Sequence, residues 1–598
     1  MSGSGKKAVE VAGKEWTEET HGSAELTEAQ TERGAMLRLA RKMLNDRTYR
    51  ERLAVTIEQR QQNAQDMSDV DMNKAADVYG ELLQRHDWAM NPKGSAWANW
   101  ATSLGFFWYL GVSPAAALVN VTQTPLVALP LMAQKFGWGA SAKALLKGTS
   151  DFMAGGVQKP SNGQILPGMS SVLEGEELDA LNEGFKTGVL DKTLAHDLAS
   201  VSQDGSDYNH TLTRVNRAVG WAFHNAERVN REATYMAAYR LARKRGMAHE
   251  KAIELAHDLT WESHFDYGSA NKARFMQGDI QKVVLMFRQF SLNMTYLLGR
   301  NLHQALKGES ADVKKAARQR LTGILGMHGL MAGAVGLPLY GVVTSILNLL
   351  FDDEDEPWDA DVAFRNAMHD YFGPAGSWVV GGPVNALTGA DVASRVSLDG
   401  LWWRGSNYDE EGREAAESIA VSILGPMFGI VKSGFEGQEL MRQGELHKAS
   451  EKFVPKFVRD PLRAIRYGSE GATNRRGDPV MEDFSAWELL LQANGLTPAD
   501  LTMQYERNSA LKNMESRIMK RRKLLMNRYW MAWRLNDSAG LRELQTDIER
   551  FNRANEAYPI TEKTLKRSLK TRQRYSAQSL AGISVNKNLR HLTEEVRY

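Results

Sequence analysis

An all-α chain is predicted by three features of this sequence: apolar residues that return every three or four positions, helix-opening residues at matching places, and the lack of a recurring strand-type alternation. The clearest periodic stretch starts at Val219, from which Ala222, Phe223, Ala226, Val229, Ala233, Met236, Ala237 and Leu241 mark one face of a helix. The composition is that of a largely globular chain, with 24% charged and 43% hydrophobic residues among 598. That length allows several domains and a sizeable core. Cysteine is absent, which excludes disulfides, thiolate catalysis and cysteine-ligated metal.

Taken in order, residues 1–93 read as a polar helical region that closes on the loop signal Asn91-Pro92-Lys93-Gly94. Met1 to Lys7 is basic with no apolar run behind it, so a secretory signal is not expected. Residues 94–150 are predicted as an apolar helical hairpin, because no charged residue stands between Lys93 and Lys135. A bilayer core needs roughly 20 helical residues, so this stretch has the length of two spans turning near Ser113-Pro114, or of a buried helical pair. Residues 151–215 contain the best linker, "AGGVQKPSNGQILPGMSSV" at 154–172, followed by short helices; 216–310 form the amphipathic region.

Residues 311–440 are apolar and glycine-rich, with a second uncharged block from Leu321 to Phe351. Lys314, Lys315, Arg318 and Arg320 precede it, and Asp352, Asp353, Glu354, Asp355 and Glu356 follow. Gly323, Gly326, Gly329, Gly333 and Gly336 supply small residues for close packing; Gly329 and Gly333 have the spacing used by helix pairs in lipid. Two shorter uncharged stretches, Tyr371 to Ala390 and Ser418 to Val431, are too broken to span alone. Asn120, Gln123, His328 and Asn348 favour a protein core for these blocks, since unpaired polar groups are costly in lipid. Four such blocks in one chain favour the other reading, a protein packed in one state and membrane-inserted in another.

Residues 441–598 read as a basic helical module. From Arg507 onward there are 21 Lys and Arg against 9 Asp and Glu, a surplus of 12 in a chain whose net charge is only +2. Asp460-Pro461 is expected to open one helix, the capping box Ser485 to Glu488 another, and Thr497-Pro498 a third. Leu511, Met514, Ile518, Leu525, Tyr529 and Ala532 are predicted to face Leu541, Leu544, Ile548 and Phe551 across an antiparallel hairpin over 498–553. Arg517, Lys520, Arg521, Arg522, Lys523 and Arg528 are the candidate contacts for DNA phosphates or anionic lipid, with Trp530 and Trp533 close by.

The sequence offers little for catalysis. It has no phosphate loop, no His-Glu-x2-His helix and no Gly-x-Ser-x-Gly elbow, and no cofactor is expected. His249, His257 and His264 lack carboxylates at ligand spacing and read as packed or surface histidines. "WESHFDYGSANKARFMQG" at 261–278 resembles the Glu-Ser-x-Phe segment of lytic transglycosylases, which makes Glu262 the one candidate general acid. The glycines that follow that segment in those enzymes are missing here.

"FHNAERVNREATYMAAYRLARKRGMAHEKAIELAHD", "FDYGSANKARF", "VVLMFRQFSLNMTYLLGRNLHQAL", "MAGAVGLPLYG" and "LTGADVASRVSLDGL" stand in an order that resembles the C-terminal region of phage large polyvalent proteins, often called PLxRFG-domain proteins. The naming hexapeptide is not literally present; its nearest counterpart, Pro461-Leu462-Arg463-Ala464-Ile465-Arg466-Tyr467-Gly468, has two extra residues and Tyr for Phe. This group includes internal virion proteins of short-tailed phages. The resemblance implies storage in the capsid interior, ejection with the genome, and assembly as a homo-oligomeric conduit through the host envelope. The implied partners are other internal virion proteins, the portal and tail, double-stranded DNA bound without sequence preference, and the host inner membrane. A pore-forming toxin, or a peptidoglycan-cleaving enzyme using Glu262, is the competing expectation.

Overall fold

The computed structural model describes residues 80, 81, 83, 84, 95–156, 168–190, 210–267, 272–351, 358–399, 401, 413–474, 477–580, 583 and 584. Nearly all of the expected polar region 1–93, the loop at 91–94, the middle of the linker at 157–167 and the acidic run at 352–356 lie outside the described residues. What is described is all-α, with strands limited to two short antiparallel pairs, Ala472–Thr473 with Pro479–Met481 and Ser579–Leu580 with Ile583–Ser584. The chain divides into two compact units. One is built from Met1–Pro338, Trp378–Ser406 and Glu410–Leu501, the other from Leu339–Ser377, Asn407–Asp409 and Thr502–Tyr598.

In the first unit, α1 (Ala96–Tyr109) is followed by α2 (Pro114–Val121), which opens on Ser113 as side-chain cap and Pro114 at the first helical position. A π-helical turn at Thr124–Ala128 then leads into α3 (Leu129–Phe136). Pro125 lacks an N–H to donate, and the ladder widens there instead of breaking. Pro114–Phe136 is therefore one apolar rod, long and apolar enough to cross a membrane. Next come α4 (Trp138–Gly155), α5 (Glu176–Lys186, with Glu176, Glu177 and Asp179 favourably placed in its first turn), α6 (His210–Lys244) and α7 (His249–His264).

The larger core surrounds α6: Phe152, Leu181, Leu190, Ala233, Met236, Ala237, Leu255, Ala256 and Leu259 are all buried. Its crossing with α4 is close because Gly148 has no side chain; a Cβ there would stand 2.8 Å from the Ala233 carbonyl oxygen. Of the predicted apolar face, Phe223, Ala226, Ala233, Met236, Ala237 and Leu241 are buried, but so is nearly every residue of the opposite face from Asn225 to Tyr239. This corrects the one-sided amphipathic reading: α6 is a central helix.

The second core of this unit joins Leu126, Val127 and Leu131 to Met294 and Leu297 of α8 (Arg288–Lys307), Ile324 and Ala332 of α9 (Ala311–Ala332), and Val392 and Val396. In the second unit, α10 (Tyr340–Phe351) packs on α11 (Ala360–Phe372). Back in the first unit, α12 (Arg413–Arg442) breaks at Gly425 ahead of Pro426, and α13 (Leu446–Lys452) and α14 (Lys456–Glu470) follow. Pro461 lies inside α14, not at its start: the helix opens five residues earlier, after Pro455, and Asp460 is a buried residue instead of a cap. The reason is tertiary, since the extra turn packs Phe457 edge-on against Phe107 of α1. Ahead of α15 (Ala486–Ala493) the capping box of Ser485 and Glu488 forms as expected.

The C-terminal hairpin consists of α16 (Ala499–Arg534) and α17 (Ser538–Ala554), with Asp537 capping the second helix, and α18 (Glu562–Gln578) joins their core through Leu565. Ile518, Leu525, Tyr529 and Ala532 meet Leu541, Leu544, Ile548 and Phe551 there. Leu511 does not; it is 67% exposed, because α16 is twice the length of α17 and outruns it.

Candidate functional site

The densest polar chemistry lies inside the first unit, on α6, in the stretch "NAERVNRE", whose spacing carries no motif. Arg228 and Glu232, one turn apart, form a fully buried ion pair at 2.6 Å, and the Met169 N–H donates to the second carboxylate oxygen at 3.2 Å. Burial pushes the Glu232 carboxyl up against the pull of Arg228 and these hydrogen bonds. Arg231 donates to three main-chain carbonyls, those of Val189 at 2.9 Å, His264 at 3.1 Å and Phe265 at 2.7 Å. Asn230 takes a hydrogen bond from the Thr124 hydroxyl at 2.7 Å and gives one to the Asn120 carbonyl at 2.8 Å; Gln123 donates to the Ser263 carbonyl at 3.0 Å. Asn120 and Gln123, the polar residues that weigh against lipid, are thus satisfied by α6 and α7. These groups form a set of ties that join α6 to neighbouring chain segments.

Glu262 belongs to a similar tie. Its carboxylate is shared by Arg300 of α8 and by Arg320 of α9, the latter at 3.3 Å. Two guanidiniums commit that carboxylate to accepting hydrogen bonds, whereas a general acid must hold a proton to give away. Of the three histidines, His249 bonds the Tyr239 hydroxyl at 2.9 Å, His257 accepts from the Trp261 indole at 3.0 Å, and His264 is buried against Thr234. Among the described residues no cluster of three His, Asp or Glu side chains is placed to hold a metal ion.

The glycine block divides into pieces with separate tasks. Only Gly323 of the five sits at a helix crossing, where a Cβ would meet Pro130 at 3.0 Å and the Trp138 ring at 3.3 Å. Gly326 faces open space and Gly329 makes one ordinary contact with Leu337. Gly333, with φ of 67°, ends α9, and Gly336 closes the short 3-10 turn that follows. Gly329 and Gly333 therefore do not make one small-residue face along a continuous helix; the left-handed backbone at Gly333 stops the helix first.

Beyond that stop, α10 is turned inside out. Two of its polar side chains are bonded to α11: the Tyr340 hydroxyl donates to Asp361 at 2.6 Å, and Asn348 accepts from the Ala360 N–H at 2.6 Å, while Thr344 and Ser345 donate to carbonyls of α10 itself. Leu339, Val342, Val343, Ile346 and Leu350, offset by three and four, are each at least half exposed. An apolar stripe of this kind marks a surface meant for lipid or a partner.

The predicted basic cluster is dispersed around α16. Arg517 donates to the Trp358 carbonyl at 3.2 Å, Arg522 reaches the Pro559 carbonyl at 3.5 Å, and Arg528 stands 3.6 Å from Asp547. Lys520 and Lys523 are exposed and Arg521 is partly covered. A better polyanion surface lies on α18, where Lys563, Arg567, Lys570 and Arg574 are exposed at steps of four, three and four, opposite Leu565. That stripe is legible from spacing alone, although its cations are not consecutive as those at 520–523 are. Trp530 and Trp533 stack at 5.4 Å beside the hairpin turn, with Trp533 exposed. Set against protein-family models, curated proteins and solved structures, the chain finds no match.

Proposed function

We propose that the chain is an internal virion protein of a tailed phage, stored in the capsid and ejected to form an oligomeric conduit through the host envelope. The observation that carries this reading is the reversed α10, whose Tyr340 and Asn348 are bonded to α11 while its apolar stripe is left outward. The apolar rod Pro114–Phe136 supports it as a second element able to enter a bilayer. The exposed cations of α18 supply phosphate contacts without sequence preference, as a DNA conduit needs. A toxin has a use for the first two features but not for the third. The test is flotation of the purified chain with anionic liposomes, through high-salt and alkaline washes, beside a dye-leakage assay. Retention through both washes with leakage is expected; a chain that stays at the bottom of the gradient removes the membrane from its function.

A further inference from the structure

We propose that the cleft between α3 and α9 is a binding site for one neutral, hydroxyl-bearing ring of the saccharide class, independent of the virion reading. The cleft measures about 270 Å³, just under the range of about 300–1,000 Å³ typical of drug-sized ligands, and so has room for a single small ring. Each helix lines it with three residues of one face: Pro130, Ala133 and Gln134 on α3, and Gln319, Thr322 and Gly323 on α9. Trp138, the first residue of α4, adds an aromatic ring. Pro130, Ala133 and Gly323 are buried and make an apolar floor, whereas Gln134 is half-buried and Trp138, Gln319 and Thr322 are exposed at the rim. Gly323 keeps the floor open, since a Cβ there would stand 3.0 Å from Pro130 and 3.3 Å from the Trp138 ring.

The rim sets the chemistry of the ligand. Arg320, itself buried, donates from Nε to the Gln134 Oε1 at 3.2 Å and from a terminal nitrogen to Glu262 at 3.3 Å. A guanidinium only donates, so the Gln134 carbonyl is taken and its amide N–H groups are what it has left for a ligand. The Thr322 hydroxyl gives its one proton to the Arg318 carbonyl at 2.7 Å, and its oxygen therefore offers lone pairs alone. One rim group thus asks for an acceptor and the other for a donor. A hydroxyl is both, whereas a phosphate or carboxylate ion only accepts and an ammonium only donates. No charged side chain is among the residues that line the cleft, so nothing in the lining offsets the desolvation of an ion. Trp138 is 49% exposed and is held by the edge of its ring beside Gly323. Such a ring next to amides suits a ligand whose faces are C–H and whose edge is hydroxyl, the faces meeting the indole and the floor while the edge is hydrogen-bonded. A nucleotide would share the stacking, but its phosphate finds no cation in this lining.

The test is saturation-transfer difference NMR on the full chain, titrated in turn with N-acetylglucosamine, methyl β-glucopyranoside, glycerol and adenosine. Saturable transfer to the ring protons of at least one of the two pyranoses is expected, and none that saturates for glycerol. Trp138→Ala should weaken that binding about ten-fold or more, and Thr322→Val, which keeps the shape of the side chain, about three-fold to ten-fold. Both residues are exposed at the rim, so both variants should melt as the unaltered chain does. Absence of a saturable signal from either pyranose, an unchanged signal in Trp138→Ala, or glycerol binding as well as the pyranoses overturns the site. Adenosine saturating the chain where neither pyranose does overturns the saccharide class. Should Trp138→Ala misfold, Thr322→Val decides: a variant that binds the pyranose as tightly as the unaltered chain overturns the site.

Discussion

Helices α6 and α10 divide polarity in opposite ways. The first carries Glu227, Arg228, Arg231 and Glu232 in the middle of the larger core, while the second, without a single charge, turns Val343, Ile346 and Leu350 outward. Residue type alone does not place a side chain; the partners within reach do. On α6, Arg228 and Arg231 reach a carboxylate and three carbonyls, so burial leaves few of their donors unmet. On α10, Tyr340 and Asn348 are bonded to α11, and Val343, Ile346 and Leu350 are exposed. A helix is therefore read better by what its polar atoms can find than by its hydropathy.

The comparison breaks first if the α6 ion pair is dispensable. Glu232→Ala leaves the Arg228 guanidinium buried without its carboxylate and the Met169 N–H without an acceptor, and should cost about 3–5 kcal/mol in urea denaturation. Replacing both partners, Arg228→Met with Glu232→Leu, should recover most of that loss, because no charge is then stranded. A single variant as stable as the unaltered chain would show that α6 is not the tie described. The next largest effect is expected at Gly333→Leu. A side chain there meets the Val380 carbonyl oxygen at 2.1 Å on a backbone with φ of 67°, so a loss of roughly 1–3 kcal/mol is expected from the backbone strain alone. That cost falls on the folded first unit and says nothing about lipid.

How much of this was legible depended on range. The all-α fold, the Ser113 and Ser485 caps and the facing stripes of α16 and α17 are local signals, carried by residues within a few turns of one another. The burial of Arg231 was not legible, because its three carbonyl partners lie 33 to 42 residues away and carry no side-chain signature. The same holds for Pro461, which spacing puts at a helix start and packing against α1 puts inside one. For the candidate surfaces, counting charges found the basic module, but only the register of α18 separates exposed cations from those of α16 that are bonded to neighbouring chain.

A smaller, pH-linked effect sharpens the α6 side of the comparison. His264 is buried, with Nε2 2.7 Å from the Thr234 hydroxyl, Nδ1 without a hydrogen-bond partner, and the Arg231 guanidinium bonded to its own carbonyl. Burial, then the charge of Arg231, holds its imidazole well below the ordinary histidine range, so the folded chain keeps it neutral while the unfolded chain protonates it below about pH 6.5. The unfolded state then binds more protons, and stability is lost as the pH drops, by at most about 1.4 kcal/mol per unit from this one group. His264→Gln should give a flatter curve between about pH 7 and pH 5; parallel curves for the two chains would remove His264 from the acid response.

The smallest effect on stability is the most telling for α10. Val343, Ile346 and Leu350 are each at least half exposed, so Val343→Ser/Ile346→Ser/Leu350→Ser should change the urea midpoint by no more than a surface substitution does, within about 0.5 kcal/mol per site. Asn348→Ala, on the other face of the same helix, removes the acceptor for the Ala360 N–H and should cost about 1 kcal/mol. If α10 is built to meet lipid, the triple variant should lose liposome retention while keeping its fold, and Asn348→Ala should lose stability while keeping retention. A triple variant that unfolds would mean that the stripe is covered by protein in solution, and the contrast with α6 would then be one of partners not yet bound instead of one of solvents.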